Sequence, residues 1–184
     1  MTTIYGGKEL AAAFRRVRGN TIKMAEEIPA DQYGFQPTPE TRSIGRLLSH
    51  IATVPFIQLY VQENKIDSLA QVDFMALIQE MVTVETAPRN KEEVIALLKH
   101  EGERFATFLE GLQDAFLAER VVTPADPSPT KSRLELLMSA KEHEMHHRGQ
   151  LALIQRMLGL VPHLTRAMQE RAAQRAAEAA AAQR

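Results

Sequence analysis

Apolar residues recur with the period of an α-helix along most of this 184-residue chain, and no stretch alternates as a strand does. Leu10, Phe14, Val17, Thr21 and Met24 mark a first helix over residues 8–27, closed by Pro29. Ile44, Leu47, Leu48, Ile51, Val54, Ile57 and Leu59 mark a second over 41–62, capped by Thr41 or Ser43 and kinked near Pro55. Val94, Leu98, Phe105, Leu109 and Leu112 mark a third over 91–117. Leu136, Ala140, Leu151, Ile154 and Leu158 mark a fourth over 132–158, which Gly159 stops. Residues 68–82 read as one or two short helices. Residues 31–40 read as a proline-rich loop that Tyr33 and Phe35 anchor. Pro124, Pro127 and Pro129 mark a long turn, with Ser128 or Thr130 as the cap beyond it. The fold class that follows is all-α, a four-helix bundle. It forms one domain over residues 1–160, with a helical extension over 161–184 that is rich in Ala, Arg and Gln and has little apolar surface to bury.

A formal charge of -1 gives no electrostatic reason to expect nucleic acid or an anionic membrane as partner. No stretch reads as a signal peptide or as a membrane span, so the expected location is the cytoplasm. The absence of cysteine removes disulfides, thiolate metal sites and a cysteine nucleophile together.

Chemistry concentrates in residues 143–151, HEMHHRGQL. His143 and His147 are four residues apart, one turn along one face of the fourth helix, where two imidazoles can hold one metal ion. His50 of the second helix, flanked by Leu47 and Val54, points toward the same core. Three imidazoles buried together need partners, because an unsatisfied buried polar group costs about 1–3 kcal/mol. One divalent ion satisfies all three and keeps coordination positions open for water or substrate. Zinc, nickel and iron all suit imidazole, as does copper. His146 lies about 100° further round the helix and falls to a flanking role or to hydrogen bonding behind a ligand. His100 and His163 have no partner at useful spacing and read as surface residues.

His143, Glu144 and His147 also satisfy H-E-x-x-H, in which the glutamate is the general base of a zinc peptidase. The downstream positions of the extended motif hold Gln150 and Leu153, and no edge strand is available to hold a peptide. The peptidase reading therefore ranks below the bundle-core site.

Residues 33–52 (YGFQPTPETRSIGRLLSHIA) resemble the first motif of the DinB/YfiT-like family of metalloenzymes, an aromatic-x-Pro loop leading into a helix with the first metal-binding histidine. Residues 143–151 resemble its second motif, H-x-x-x-H followed by Arg-Gly-Gln. The resemblance implies a four-helix bundle with a divalent ion on His50, His143 and His147, and a homodimer. It also implies kinship with transferases that use a low-molecular-weight thiol against an electrophilic small molecule. Glu144 and Gln150 are then candidates to orient ligands or a bound water. The alternative is a non-catalytic metal-binding or stress-response module in which the ion staples helix two to helix four; an open coordination position would favour catalysis and a fourth protein ligand the structural role.

Overall fold

A computed structural model describes residues 5–123 and 130–182. In chain order the elements are α1 (Gly7–Glu27), α2 (Ile44–Thr53), α3 (Pro55–Glu63), α4 (Phe74–Thr86), α5 (Lys91–Glu110), α6 (Asp114–Ala118), β1 (Arg120–Val122), β2 (Thr130–Ser132), α7 (Arg133–Met157) and α8 (His163–Ala182). The bundle is a ring. α1 packs between α5 and α7, and the α2–α3 rod packs between the same two helices from the other side. Both α1 to α2 and α5 to α7 therefore cross the bundle diagonally, which is why their connections are long. α4 covers α2 from outside.

The expected elements are present, with shifted ends. α2 starts at Ile44, because Thr41 is spent in a turn, bonding Thr38 through its amide and its hydroxyl. The cap is Ser43, whose Oγ accepts from the Arg46 amide at 3.4 Å. The amides of Ile44 and Gly45 donate to the carbonyls of Phe35 and Tyr33, so the aromatic loop satisfies donors that a helix start leaves open. Tyr33 is buried and its hydroxyl donates to the Ala25 carbonyl at 2.8 Å, fastening that loop to α1. The expected kink at Pro55 is a break: α2 closes at Thr53 and α3 starts at Pro55. The third helix ends at Glu110 rather than 117, with a short α6 after Gly111 and Leu112. β1 and β2 form a three-residue antiparallel ribbon that periodicity cannot register at that length. Ser132 caps α7 in a reciprocal pair with Glu135, so Thr130 is not the cap; Ser128 lies outside the described residues. Gly159, at φ +76°, ends α7.

By length and composition Ile44–Glu63 does reach the measure of a membrane-crossing helix, contrary to the sequence expectation. It is mostly buried among α4, α5 and α7, as the core helix of a bundle is.

Two apolar layers fill the bundle. One gathers Met24, Ile44, Leu48, Ile51, Leu98 and Leu151; the other gathers Leu10, Phe14, Leu59, Phe105, Leu109 and Leu137. Between them in sequence, on each long helix, lies a buried polar node. The Arg18 guanidinium donates from Nε to both carboxylate oxygens of Glu144 at 3.0–3.1 Å, from Nη1 to the Leu98 carbonyl at 2.9 Å, and from Nη2 to the Ile51 carbonyl at 3.0 Å. Thr21 adds a hydroxyl to Glu144 at 2.7 Å. Arg18 is 3% exposed and Glu144 0%. The Ile51 carbonyl needs this donor, since its regular helical partner would be the amide of residue 55, and proline has none. Room for Arg18 comes from Gly102, where a Cβ would stand 2.7 Å from the arginine Cγ. One side chain thus ties α1, α2, α5 and α7 together.

Removing one partner of such a pair leaves a buried charge unpaired. Glu144→Ala should therefore destabilise the fold by about 3–5 kcal/mol in chemical denaturation, while joint replacement by Arg18→Met and Glu144→Leu should recover part of that loss. A loss below about 1 kcal/mol in Glu144→Ala would contradict the role given to the node.

Candidate metal centre

The node fixes how α2 and α7 are rotated. Glu144 turned into the bundle leaves its neighbour His143 and, one turn on, His147 facing α2. Ile51 held by Arg18 leaves the preceding His50 facing α7. The three Nε2 atoms converge: His50 to His143 3.1 Å, His50 to His147 3.1 Å and His147 to His143 2.8 Å. Among the described residues this is the one group of three or more His, Cys, Asp or Glu side chains with ligand atoms close enough to share an ion. Burial is graded, with His147 buried, His50 half-buried and His143 exposed. The histidines thus sit at an opening in the bundle wall, not sealed in the core as their flanking apolar residues suggested.

Behind His50 stands Glu85, near the end of α4. It is 4% exposed; Oε2 lies 3.0 Å from His50 Nδ1, and Oε1 accepts from Arg42 Nε at 2.8 Å and Arg46 Nη2 at 3.0 Å. Burial works against ionisation of Glu85, but the hydrogen bond and charge of Arg42, with help from His50, outweigh it and hold the carboxyl below its ordinary range. An ionised carboxylate can only accept, so His50 Nδ1 carries the proton and His50 Nε2 is a bare lone pair. Behind His147 stands Gln150, whose Oε1 lies 2.8 Å from His147 Nδ1 and whose Nε2 lies 3.0 Å from His146 Nε2. With the amide in this orientation His147 Nδ1 donates, and His147 Nε2 is a second bare lone pair.

Two unprotonated nitrogens therefore face each other at 3.1 Å with no hydrogen between them. A proton on His143 Nε2 or a cation at the convergence point relieves that contact, and the cation uses the lone pairs of all three rings. Neutral imidazoles suit it: burial first, then the charges of Arg42 and His147, push the His50 ring down to about 4, and burial likewise lowers His143 and His147. The donor set thus fits a divalent ion on His50, His143 and His147, with the hydrogen-bonded carboxylate and amide that metal-ligating histidines usually have behind them.

Gln150 lies against His147, and His146 sits one step further out, beside the Gln150 amide. Glu144 does not reach the site, because its carboxylate is consumed by Arg18 and Thr21. It cannot serve as the general base of an H-E-x-x-H peptidase. His163 is 6% exposed rather than a surface residue; its Nε2 lies 3.2 Å from Asn20 Oδ1 and docks the start of α8 on α1. Glu85 was not found from the sequence. Its only signal is an acid at the end of a largely apolar helix that also carries Glu80, and its target lies 35 residues away. A cleft of about 360 Å³ opens beside the triad, with His147 and Gln150 in its lining.

Residues 13–151 match the DinB superfamily. The chain belongs to that superfamily. It is 27% identical over 152 residues to YjoA, an uncharacterised protein of Bacillus subtilis strain 168, covering 82% of this chain and 90% of YjoA. The crystal structure of YjoA superposes with a TM-score of 0.62 at 23% identity, covering 82% of this chain and 92% of YjoA. A DinB-like protein from Bacillus cereus ATCC 10987 gives 0.64 at 17% identity, covering 84% and 93%. YfiT from Bacillus subtilis, described as a probable metal-dependent hydrolase with an unusual four-helix bundle topology, gives 0.63 at 16% identity, covering 87% and 91%. At these identities the likeness establishes the shared bundle fold.

Removing the Glu85 carboxylate frees the His50 ring to turn and to take the other tautomer. Glu85→Ala should weaken zinc binding by about 10–100-fold in a chelator competition, and unchanged affinity would mean that Glu85 does not position His50. The metal-free protein should also lose stability as pH falls from about 6.5 toward 4. Unfolded chains take up protons at the ordinary histidine pKa, whereas the folded His50 ring resists until about 4. Denaturation midpoints that do not fall over that interval would refute this.

Proposed function

We propose that this DinB-superfamily protein is a divalent-metal-dependent enzyme that activates a small nucleophile against a small-molecule substrate. The observation that carries this is the pair of lone-pair nitrogens, His50 Nε2 and His147 Nε2, at 3.1 Å beside an open cleft. Three further features support it. The ligand group numbers three among the described residues, and no fourth His, Cys, Asp or Glu closes it. His143 is exposed, so the site is open to solvent and substrate. The fold neighbour YfiT is described as a probable metal-dependent hydrolase.

An ion held there, zinc, nickel or iron, would act as a Lewis acid and lower the pKa of a bound water or small thiol. The chain supplies orientation. Glu85 holds His50 by its Nδ1 proton, and Gln150, itself held by His146, does the same for His147. The apolar side chains along the cleft exclude water from a bound substrate. Activation of water gives a hydrolase, and activation of a low-molecular-weight thiol gives a transferase onto an electrophile. We place the enzyme in the cytoplasm, as a homodimer.

Zinc-loaded protein should hydrolyse activated esters or consume a small thiol against a generic electrophile. The active reaction should fall by at least about 100-fold in His147→Ala and on chelation. Background rates in both assays for protein of full metal content, or rates equal in His147→Ala, would remove the catalytic reading.

A further inference from the structure

The cleft beside the triad has a polar end and an apolar length. Leu47 of α2, with Leu153, Ile154 and Met157 of α7, forms the apolar part; Leu153 is 62% exposed and Met157 55%, large side chains held at the surface where they line the cleft. His147, Gln150 and Arg42 form the polar end. Arg42 and Arg46 share one carboxylate, Glu85, and the remaining positive charge faces one acid in the cleft lining, Glu40. Arg42 meets Glu85 through Nε, and its Nη groups have no acceptor among the described residues. Glu40, the one acid in the lining, belongs to the loop ahead of α2.

Resting on the reading of this cleft as the substrate site, we propose that it takes a carboxylate with an apolar chain, the carboxylate on the Arg42 guanidinium and the chain along Leu47, Leu153, Ile154 and Met157. A planar guanidinium with free Nη–H groups matches a carboxylate by paired, charge-assisted hydrogen bonds, which a hydroxyl cannot reproduce and an ammonium opposes. The apolar wall favours an unbranched or lightly branched chain that removes Leu153 and Met157 from water. The head group then lies beside His147 at the triad, and the chain runs away from it along α7.

Calorimetric titration of the whole zinc-loaded protein with octanoate, octanol and octylamine tests this. Octanoate should bind about tenfold or more tighter than the other two. Arg42→Gln should bring octanoate down to the level of octanol, and Arg42→Lys should keep part of the preference. Leu153→Asp should weaken octanoate about tenfold with zinc content unchanged. Because Arg42 also bears on Glu85, zinc content is measured for every variant, and the titrations are repeated on zinc-free protein, where the preference should persist. Equal affinity for octanoate and octanol, or a preference that survives Arg42→Gln or vanishes without zinc, overturns the assignment. The assay reads binding without turnover. Selective octanoate binding by an inactive protein would uphold this proposal and sink the enzymatic reading, and turnover without selectivity would do the reverse.

Discussion

The buried contact between Arg18 and Glu144 is the constraint on which the rest of the structure depends. A charge pair this deep contributes little net stability over a well-packed apolar substitute, but it has strict geometric demands. All of Arg18's nitrogens are engaged, on one carboxylate and two backbone carbonyls from three other helices. To the close packing of the apolar layers this node adds directional hydrogen bonds between four helices. It sets the rotation of α2 and α7, and through them the direction of His50, His143 and His147. The break at Pro55 belongs to the same design, because it frees the carbonyl of Ile51 for Arg18 one residue beyond the histidine that must be aimed.

A second polar cluster then fixes the chemistry of the rings. Glu85 and Gln150 each accept a hydrogen bond from an Nδ1–H and so leave lone pairs on two converging Nε2 atoms. Arg42 has two tasks there: it keeps Glu85 ionised, and it brings positive charge to the mouth of the cleft. The orientation of the ligands and the recognition of a substrate are thereby linked through one loop residue, fastened in turn by the aromatic loop that Tyr33 anchors to α1.

Much of this was legible in the sequence because helical periodicity is strong where one face is buried. The four long segments and the inward-facing His50, His143 and His147 follow from spacing, the anchored loop and the stop at Gly159 from their aromatic, proline and glycine residues, and the three histidines as one ligand set also from the family resemblance. What escaped depended on partners distant in the chain. Glu144 carries the same local signature whether it faces a metal or an arginine 126 residues away, and only Arg18 decides. Glu85 looks like any acid at a helix end until α4 is laid across α2. The ribbon of β1 and β2 is too short for alternation to register, and the start of α2 was set by a turn at Thr38 and Thr41 rather than by cap preference. His163 read as a surface residue because nothing in its own segment shows that Pro162 folds the chain back over α1.

The account is tested most directly by anomalous X-ray diffraction from crystals of the metal-loaded protein. It predicts a single ion at full occupancy, bonded to Nε2 of His50, His143 and His147, with His50 Nδ1 still on Glu85 and Glu144 still on Arg18. An ion bound elsewhere, one ligated by Glu144, or one that leaves His50 unbound would contradict it.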